Sequence, residues 1–247
     1  MNIRITSILT FFFLILVLPA RAQEGGLITD RPDFTESPNA VSVGTIQVEL
    51  GATMESTDSF AANTFGEALI RYGIFDRFEL RVGIPSLISG DFEESGLSDA
   101  SIGLKWEAGS LGEKAELGVI GFVTLPTGDD MFTSDGVDPS VIVTAGTSLT
   151  DKISLGSQIQ GSLNTVGDER HLDWDATVVL ALPVTPRVGA FAEIAASAPE
   201  IGDEQALFHL GFVVAMGDDA QFDVHGGTGL TDGTPDSFFG VGFSFRR

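Results

Sequence analysis

The sequence contains no cysteine and few cationic side chains. The lack of cysteine excludes disulfides, cysteine-based metal sites and a lipoprotein anchor. The 247-residue chain has only 13 Lys and Arg residues against 35 Asp and Glu residues. Residues 1–22 contain Arg4 and Arg21 and no acid, so the chain that follows has 11 cationic and 35 acidic side chains, a net charge of −24. This balance argues against nucleic acid or anionic lipid headgroups as partners, because phosphate recognition needs positive charge.

Long apolar runs are also missing after the N-terminus. Residues 1–22 are typical of a cleaved signal peptide, with Arg4 in a positive first part, an apolar run from Phe11 to Leu18 and the small-x-small sequence Ala20-Arg21-Ala22. That run is too short to span a bilayer, and no later run approaches the roughly 18–20 apolar residues of a membrane helix. The mean hydropathy is nevertheless positive, at +0.23, so the apolar residues are distributed along the chain.

The stretch Glu67–Pro85 alternates with the period of two half-buried strands. The turn Phe75-Asp76-Arg77 between its halves is so short that it allows only an antiparallel hairpin. One face is apolar and the other carries full charges of both signs. The apolar face consists of Ala68, Ile70, Tyr72, Ile74, Phe78, Leu80, Val82 and Ile84, and the charges are those of Glu67, Arg71, Glu79 and Arg81.

The same alternation recurs along the chain and predicts twelve strands in all. Short turns alternate with longer, acidic connections, which we predict at about 54–66, 86–98, 126–139, 164–171, 198–205 and 231–237. An even strand number, segments near the 9–11 residues of a tilted membrane strand and this alternation are typical of outer-membrane barrels. The predicted fold is therefore all-β: a single up-and-down antiparallel transmembrane β-barrel of about 12 strands over residues 44–247.

A barrel of this kind explains why the apolar faces can all point one way, since lipid covers the outside and no backbone edge is left unpaired. The aromatic residues agree, because several that face outward lie near the barrel ends, where interfacial girdles are found. This predicted aromatic girdle comprises Tyr72, Phe78, Trp106, Phe222 and Phe245 at the short-turn end, with Trp174 and Phe239 at the other end. The alternative is a secreted β-sandwich or lipocalin-like cup with its apolar face inward, which explains neither the girdle nor the connections.

The inward-facing charges concentrate in the half of the barrel nearer the short turns. They form a predicted lumen charge ladder in which neighbouring strands alternate in sign or nearly so: Glu49, Arg71, Glu79, Arg81, Lys105 and Glu116. Two interpretations remain open and are compatible. The ladder braces one wall and fixes the strand register, or it forms a charged constriction that screens solutes.

Residues 23–43 form an irregular N-terminal segment, periplasmic or lumenal, since Asp30 to Pro38 contains two prolines and no period. Its charged residues Asp30, Arg31 and Asp33 lie just before the first strand, at the same end as the charge ladder. We hypothesise that they form a plug, in which the segment folds into the lumen and its carboxylates meet Arg71 or Arg81. The alternative is a loose periplasmic tail.

Several stretches together resemble the outer-membrane transporter family described as "MetA-pathway of phenol degradation". The similarity is carried, in order, by Thr29–Phe34, Arg71-Tyr72-Gly73 with Arg77–Arg81, Leu125–Asp129, Gly136–Pro139 and Phe239–Gly242. The resemblance implies a porin-like barrel with a transport role and no defined substrate. The last strand also resembles the signal read by the barrel-assembly machinery, but Arg246-Arg247 follow Phe245, whereas that signal ends on the aromatic residue.

The other wall mixes polar and aromatic residues, which suits a small hydrophobic or aromatic solute. It includes Gln158, Gln160, Thr177, Phe191, His209 and His225. A packed, dry lumen is the alternative. Catalysis is not predicted, because the chain has three histidines and no serine in a nucleophile-elbow context. No cofactor and no metal site is predicted; the acids Asp129, Asp130, Asp135 and Asp138 crowd one outer loop, as a solvated loop or a loose divalent-cation site.

These observations predict a passive outer-membrane channel or transporter for small, hydrophobic or aromatic solutes in a Gram-negative bacterium. The predicted partners are outer-membrane lipid and lipopolysaccharide, the barrel-assembly machinery and a small-molecule solute, with no nucleic acid. The alternative is a closed structural or surface-interaction barrel that transports nothing.

Overall fold

A computed structural model describes residues 27–92, 94–112 and 115–247, so the predicted signal peptide lies outside the described residues. The described chain contains fourteen β-strands, all antiparallel where they pair. They are β1 (Ile46–Ser56), β2 (Ala61–Phe75), β3 (Phe78–Ile84), β4 (Leu87–Gly90), β5 (Gly96–Leu97), β6 (Ala100–Leu111), β7 (Ala115–Leu125), β8 (Asp138–Ser148), β9 (Ser154–Val166), β10 (Glu169–Thr185), β11 (Val188–Ala198), β12 (Gln205–Ala215), β13 (Ala220–Gly229) and β14 (Ser237–Arg246). No helix among these residues is long and apolar enough to cross a membrane.

The sheet closes on itself, because β1 pairs with β2 on one side and with β14 on the other. Strands β3 and β4 pair in succession with β2, so they act as one wall strand interrupted at Pro85, which has no N–H to donate. The two-residue β5 pairs with β4 alone. The wall therefore has twelve strands, and the prediction of a closed, up-and-down, 12-stranded barrel is confirmed.

The two faces of the wall have the polarity that a membrane barrel needs. Leu104 is 50% exposed on the outside, whereas the next residue, Lys105, is fully buried. Along β14 the exposed Phe239 and Phe243 alternate with the buried Gly240 and Ser244. The charged side chains and most of the buried polar ones thus line the interior, together with a few apolar ones such as Ile120 and Phe191, while most apolar side chains face outward. The alternative of a soluble sandwich or cup with an apolar centre is therefore wrong.

Three of the predicted outer connections differ in the structure. The connection predicted at 86–98 contains β4 and β5, and two others are much shorter. Strand β9 ends at Val166 and β10 begins at Glu169, so only two residues remain of the connection predicted at 164–171. Likewise, β1 ends at Ser56 and β2 begins at Ala61. In both places backbone pairing continues through residues that show no regular alternation of apolar and polar side chains, so the hydrophobic period does not mark a strand there.

The seven aromatic residues of the predicted girdle all lie on the outer surface. Each is exposed by 38–53%, and Phe78 stacks on its cross-strand partner Trp106 with ring centroids 6.2 Å apart. Phe78 begins β3 at the short-turn end, whereas Trp174 is paired with Ala198, the last residue of β11, at the opposite end. Their contact with a membrane interface stays a prediction.

Candidate functional site

Residues 27–43, called here the lumenal segment, run inside the barrel. Near its start, Ile28 accepts hydrogen bonds through its carbonyl from Gln47 (2.8 Å) and Arg71 (3.2 Å). The segment then reaches Glu193 on β11 and returns to the short-turn end, where Val43 bridges to Gly73 of β2. Hydrogen bonds, ion pairs or ring contacts connect it to every strand of the twelve-stranded wall.

The carboxylate of Asp30 occupies the centre of a buried charge cluster. Its two oxygens each lie 2.9 Å from Lys105 Nζ, and Oδ2 lies 2.5 Å from Arg81 Nη1 and 3.2 Å from Arg71 Nη1. Burial raises the pKa of Asp30, but the charges of Arg71, Lys105 and Arg81 lower it more, so its pKa is well below the ordinary 3.8. Asp30 is therefore ionised at neutral pH.

The wall supplies the rest of this cluster. Arg71 binds Glu79 at 2.8 Å and Glu49 at 2.9 Å, and Arg81 lies 3.0 Å from Glu79. The wall alone thus brings three cations and two carboxylates. The lumenal segment adds the Asp30 carboxylate and the carboxyl group of Glu36, which lies 2.8 Å from Arg81 Nη2. The wall's excess of positive charge is an electrostatic reason for an acidic segment to bind there.

Five members of the predicted charge ladder therefore meet in one cluster, but Glu116 does not. Lys105 is paired with Ile120 across the β6–β7 ladder, while Glu116 is paired with Ser110 beyond a register shift. The Glu116 carboxylate instead accepts a hydrogen bond from Asn39 of the lumenal segment, at 3.0 Å. The prediction that Glu116 belongs to the ladder is wrong because the register places it four residues along the strand from Ile120.

The three predicted plug residues have different surroundings. Asp30 meets both Arg71 and Arg81, and Arg31 reaches the opposite part of the wall, where Glu67 binds it at 2.8 Å. Asp33 makes no ion pair with either arginine in the described chain, so that part of the hypothesis is wrong. After Pro32 the chain lies against Glu193, and burial followed by the Glu193 charge raises the pKa of Asp33.

Glu193 on β11 holds the innermost turn of the segment, and its role was not predicted. Its carboxylate accepts hydrogen bonds from the N–H groups of Phe34 and Thr35, both at 2.9 Å, and from the Thr35 hydroxyl at 2.6 Å. It is fully buried and also lies 2.8 Å from His209 Nδ1. The available signal was a lone carboxylate on the inward face of a largely apolar strand.

A directed chain of hydrogen bonds continues from Glu193. An ionised carboxylate only accepts, so His209 Nδ1 carries the proton and His209 Nε2 accepts from His225 Nδ1, 2.9 Å away. His225 Nε2 is then free to accept from Arg31 Nη2, at 3.3 Å. The Glu193 end and the Arg31 end of this hydrogen-bond series both require that each histidine is neutral with its proton on Nδ1. The wall therefore presents His225 Nε2 to Arg31 as an acceptor.

Aromatic rings surround His209 where the segment turns. The centroids of Phe34, Phe191 and Phe238 lie 4.5, 4.9 and 5.2 Å from that of His209. Phe34 is 42% exposed, so part of its ring faces open space. At the short-turn end a cleft of about 570 Å³ remains between the lumenal segment and the wall, next to Gln47 and Arg71.

The outer-loop acids support backbone structure. Asp99 accepts hydrogen bonds from the N–H groups of Thr127 (2.9 Å), Gly128 (2.8 Å) and Ser134 (2.8 Å). Burial raises its pKa, but these hydrogen bonds outweigh it and lower the pKa to about 2. Similar bonds link Asp129 to Leu97, Asp135 to Gly167 and Asp138 to Thr165. In the described residues no group of three or more potential ligands could hold a metal ion.

A family model described as "Putative MetA-pathway of phenol degradation" matches residues 29–246. The chain belongs to this family. The match begins inside the lumenal segment and includes the whole barrel wall, so both parts of the candidate site fall within it. No curated protein sequence is significantly similar to the chain.

Solved structures with the same fold are outer-membrane barrels. An outer membrane channel from Pseudomonas putida F1 has a TM-score of 0.66 at 13% identity, over 85% of this chain and 97% of that one. The KdgM porin in complex with disordered oligogalacturonate has a TM-score of 0.59 at 8% identity, over 81% and 98%. The NanC porin has a TM-score of 0.59 at 9% identity, over 80% and 98%. At these identities the similarity concerns the fold.

Proposed function

We propose that the protein is a channel for small solutes in the outer membrane of a Gram-negative bacterium, and that the lumenal segment is its plug. The observation that carries the proposal is the position of residues 27–43 inside a closed barrel whose interior is polar. A polar lumen is the usual interior of barrels that pass solutes, and a segment bound within it is a usual way to close one.

The charge cluster holds the plug and is the constriction of the pathway. With the segment displaced, Arg71, Arg81 and Lys105 face the lumen with only Glu49 and Glu79 to balance them. Charged rings of this kind select solutes by charge at a narrow point. The bracing of the wall and the screening of solutes are thus two effects of the same ion pairs.

The solutes are small and hydrophobic or aromatic. Support for this class comes from the wall rings of Phe191 and Phe238 next to His209, because aromatic rings provide apolar contact area while His209 supplies a polar group. Phenol added to the open channel is expected to produce current blocks that are weakened by Phe191→Leu, whereas cyclohexanol produces fewer.

The plug is tested by locking it. Thr35 Oγ1 and Thr177 Oγ1 lie 2.5 Å apart, and the chain has no cysteine, so Thr35→Cys with Thr177→Cys introduces one disulfide between segment and wall. In planar bilayers the oxidised variant is expected to stay closed and the reduced one to open intermittently. Thr177→Cys alone is the control and should respond to neither treatment.

Deletion of residues 27–43 completes the test. The shortened barrel is expected to conduct continuously, because nothing then occupies the lumen between the charged walls. If it conducts no more than the full chain, the proposal is refuted and a closed structural barrel is the better description. Circular dichroism at the wavelengths of β-structure checks that the shortened barrel has folded.

A further inference from the structure

The guanidinium of Arg31 lies in a notch in the wall that two glycines create. Gly51 of β1 and Gly242 of β14 are cross-strand partners at the seam where the barrel closes. A Cβ on Gly51 would lie 2.2 Å from Arg31 Nη1, and a Cβ on Gly242 would lie 2.5 Å from Arg31 Nε. Neither position can carry a side chain while Arg31 is bound, so the notch depends on both glycines.

Acceptors from four residues on three wall strands surround the notch. Nη1 of Arg31 lies 2.8 Å from Glu67 Oε2, while Nη2 lies 3.3 Å from His225 Nε2 and 3.4 Å from the Val241 carbonyl. Asp223 adds a second carboxylate, 3.6 Å from Nη2. This arrangement of acceptors about one flat group suits the fork of N–H donors on a guanidinium.

Part of the acceptor capacity of this site is unused. The side chain of Asp223 is completely buried, yet within the described residues its carboxylate is held only by the 3.6 Å ion pair with Arg31, beyond ordinary hydrogen-bond distance, and Ser244 Oγ has no hydrogen-bond partner there. Arg31 Nε is also without one. A buried carboxylate usually has its lone pairs satisfied, so Asp223 indicates a site that a ligand other than tethered Arg31 can fill more completely.

We infer that this notch is a guanidinium-binding site of the channel wall, which Arg31 occupies while the plug is docked and which a free guanidinium-bearing solute occupies when the plug is displaced. The exchange rests on the proposed plug, but the site itself does not, since every acceptor lies on the wall. An ammonium group is a poor substitute, because a compact charge cannot contact Glu67, Asp223 and the Val241 carbonyl together. Tethered Arg31 has an effective concentration in the millimolar range, so free solutes compete only at comparable concentrations.

The test uses the full chain with Arg31→Ala, which empties the notch, and methylguanidinium as the probe. Isothermal titration calorimetry in detergent is expected to detect saturable binding of methylguanidinium and at least about tenfold weaker binding of methylammonium at the same ionic strength. Adding Asp223→Asn should weaken methylguanidinium binding by about tenfold, as expected for one charge-assisted contact. Gly242→Ala in the Arg31→Ala background should abolish binding by filling the notch.

Two results would overturn the inference: no binding of methylguanidinium to the Arg31→Ala protein, or equal binding of the two probes. Because the binding measurement does not depend on current, it also separates this inference from the plug. If methylguanidinium binds but deletion of residues 27–43 leaves the conductance unchanged, the plug is refuted and the binding site is retained. A conductance increase on deletion of residues 27–43 without binding would do the reverse. Asp76→Asn, an exposed acid in a short turn, is the control for general loss of negative charge.

Discussion

Replacing Asp30 with asparagine should open the channel, because it removes one charge from the centre of the cluster while keeping the shape of the side chain. Lys105, Arg81 and Arg71 all lie within 3.2 Å of the Asp30 carboxylate. Removing one partner of a buried ion pair costs about 3–5 kcal/mol, and the polar lumen favours the lower value. A loss of about 3 kcal/mol from the docked state multiplies the ratio of open to closed channels by roughly 150, since 1.4 kcal/mol is tenfold.

The assay is the open probability of single channels in planar bilayers. Asp76→Asn, at the same end of the barrel but exposed, is the matched control and should behave like the wild type. A double-mutant cycle with Lys105→Met tests the cause, because the two substitutions act on one ion pair and their effects should not add. If Asp30→Asn changes the open-to-closed ratio by less than about threefold, the cluster does not hold the segment and the reasoning fails.

Three further changes test the packing, the titration and the outward face. Gly118→Ala would place a Cβ 2.8 Å from Pro38 and so raise the open probability, whereas Gly121→Ala on the same strand meets nothing within 4 Å and should not. Burial raises the pKa of Glu36 and the charge of Arg81 lowers it, and the net result in the docked segment is a pKa of about 7. Docking therefore favours the protonated form of Glu36, so it is strongest below the ordinary pKa of 4.5 and weakens as pH rises through about 7. Channels should open more at pH 8 than at pH 6. Leu104→Arg should lower the free energy of unfolding in lipid vesicles by about 2–4 kcal/mol, measured from urea midpoints; an unchanged midpoint would contradict a lipid-facing Leu104.

The wall could be predicted from the sequence because lipid and water impose opposite demands on alternate residues. In β14, for example, Phe239 and Phe243 mark one face while Gly240 and Ser244 mark the other. The same period in β2 predicts that Arg71 faces the lumen, and the structure buries it there completely. Local alternation is therefore sufficient to find the strands, their lumen face and most of the charge cluster.

The path of the lumenal segment could not be predicted, because it has no period and its partners are distant in sequence. Glu36 joins the cluster only because the segment turns back toward Arg81, and Glu193 gains its role only because the closed ring brings β11 opposite to β3. Glu116 lies outside the cluster because Lys105 is paired with Ile120, four residues along β7 from Glu116. Register and ring closure are properties of strand pairs and cannot be derived from one strand at a time.

The contacts of Arg31 extend across the seam between β1 and β14, where the barrel closes. On one side it lies against β1 and β2, and on the other it reaches β13 and β14, including the carbonyl of Val241, 210 positions away in the chain. The first and last strands are joined over the longest loop in the molecule, where closure costs the most chain entropy. A residue that precedes β1 thus adds a link across this joint, and its departure weakens the joint by the same free energy that binding contributed. Under the proposed plug, the opening of the channel and the mechanical integrity of the barrel are coupled through a single side chain.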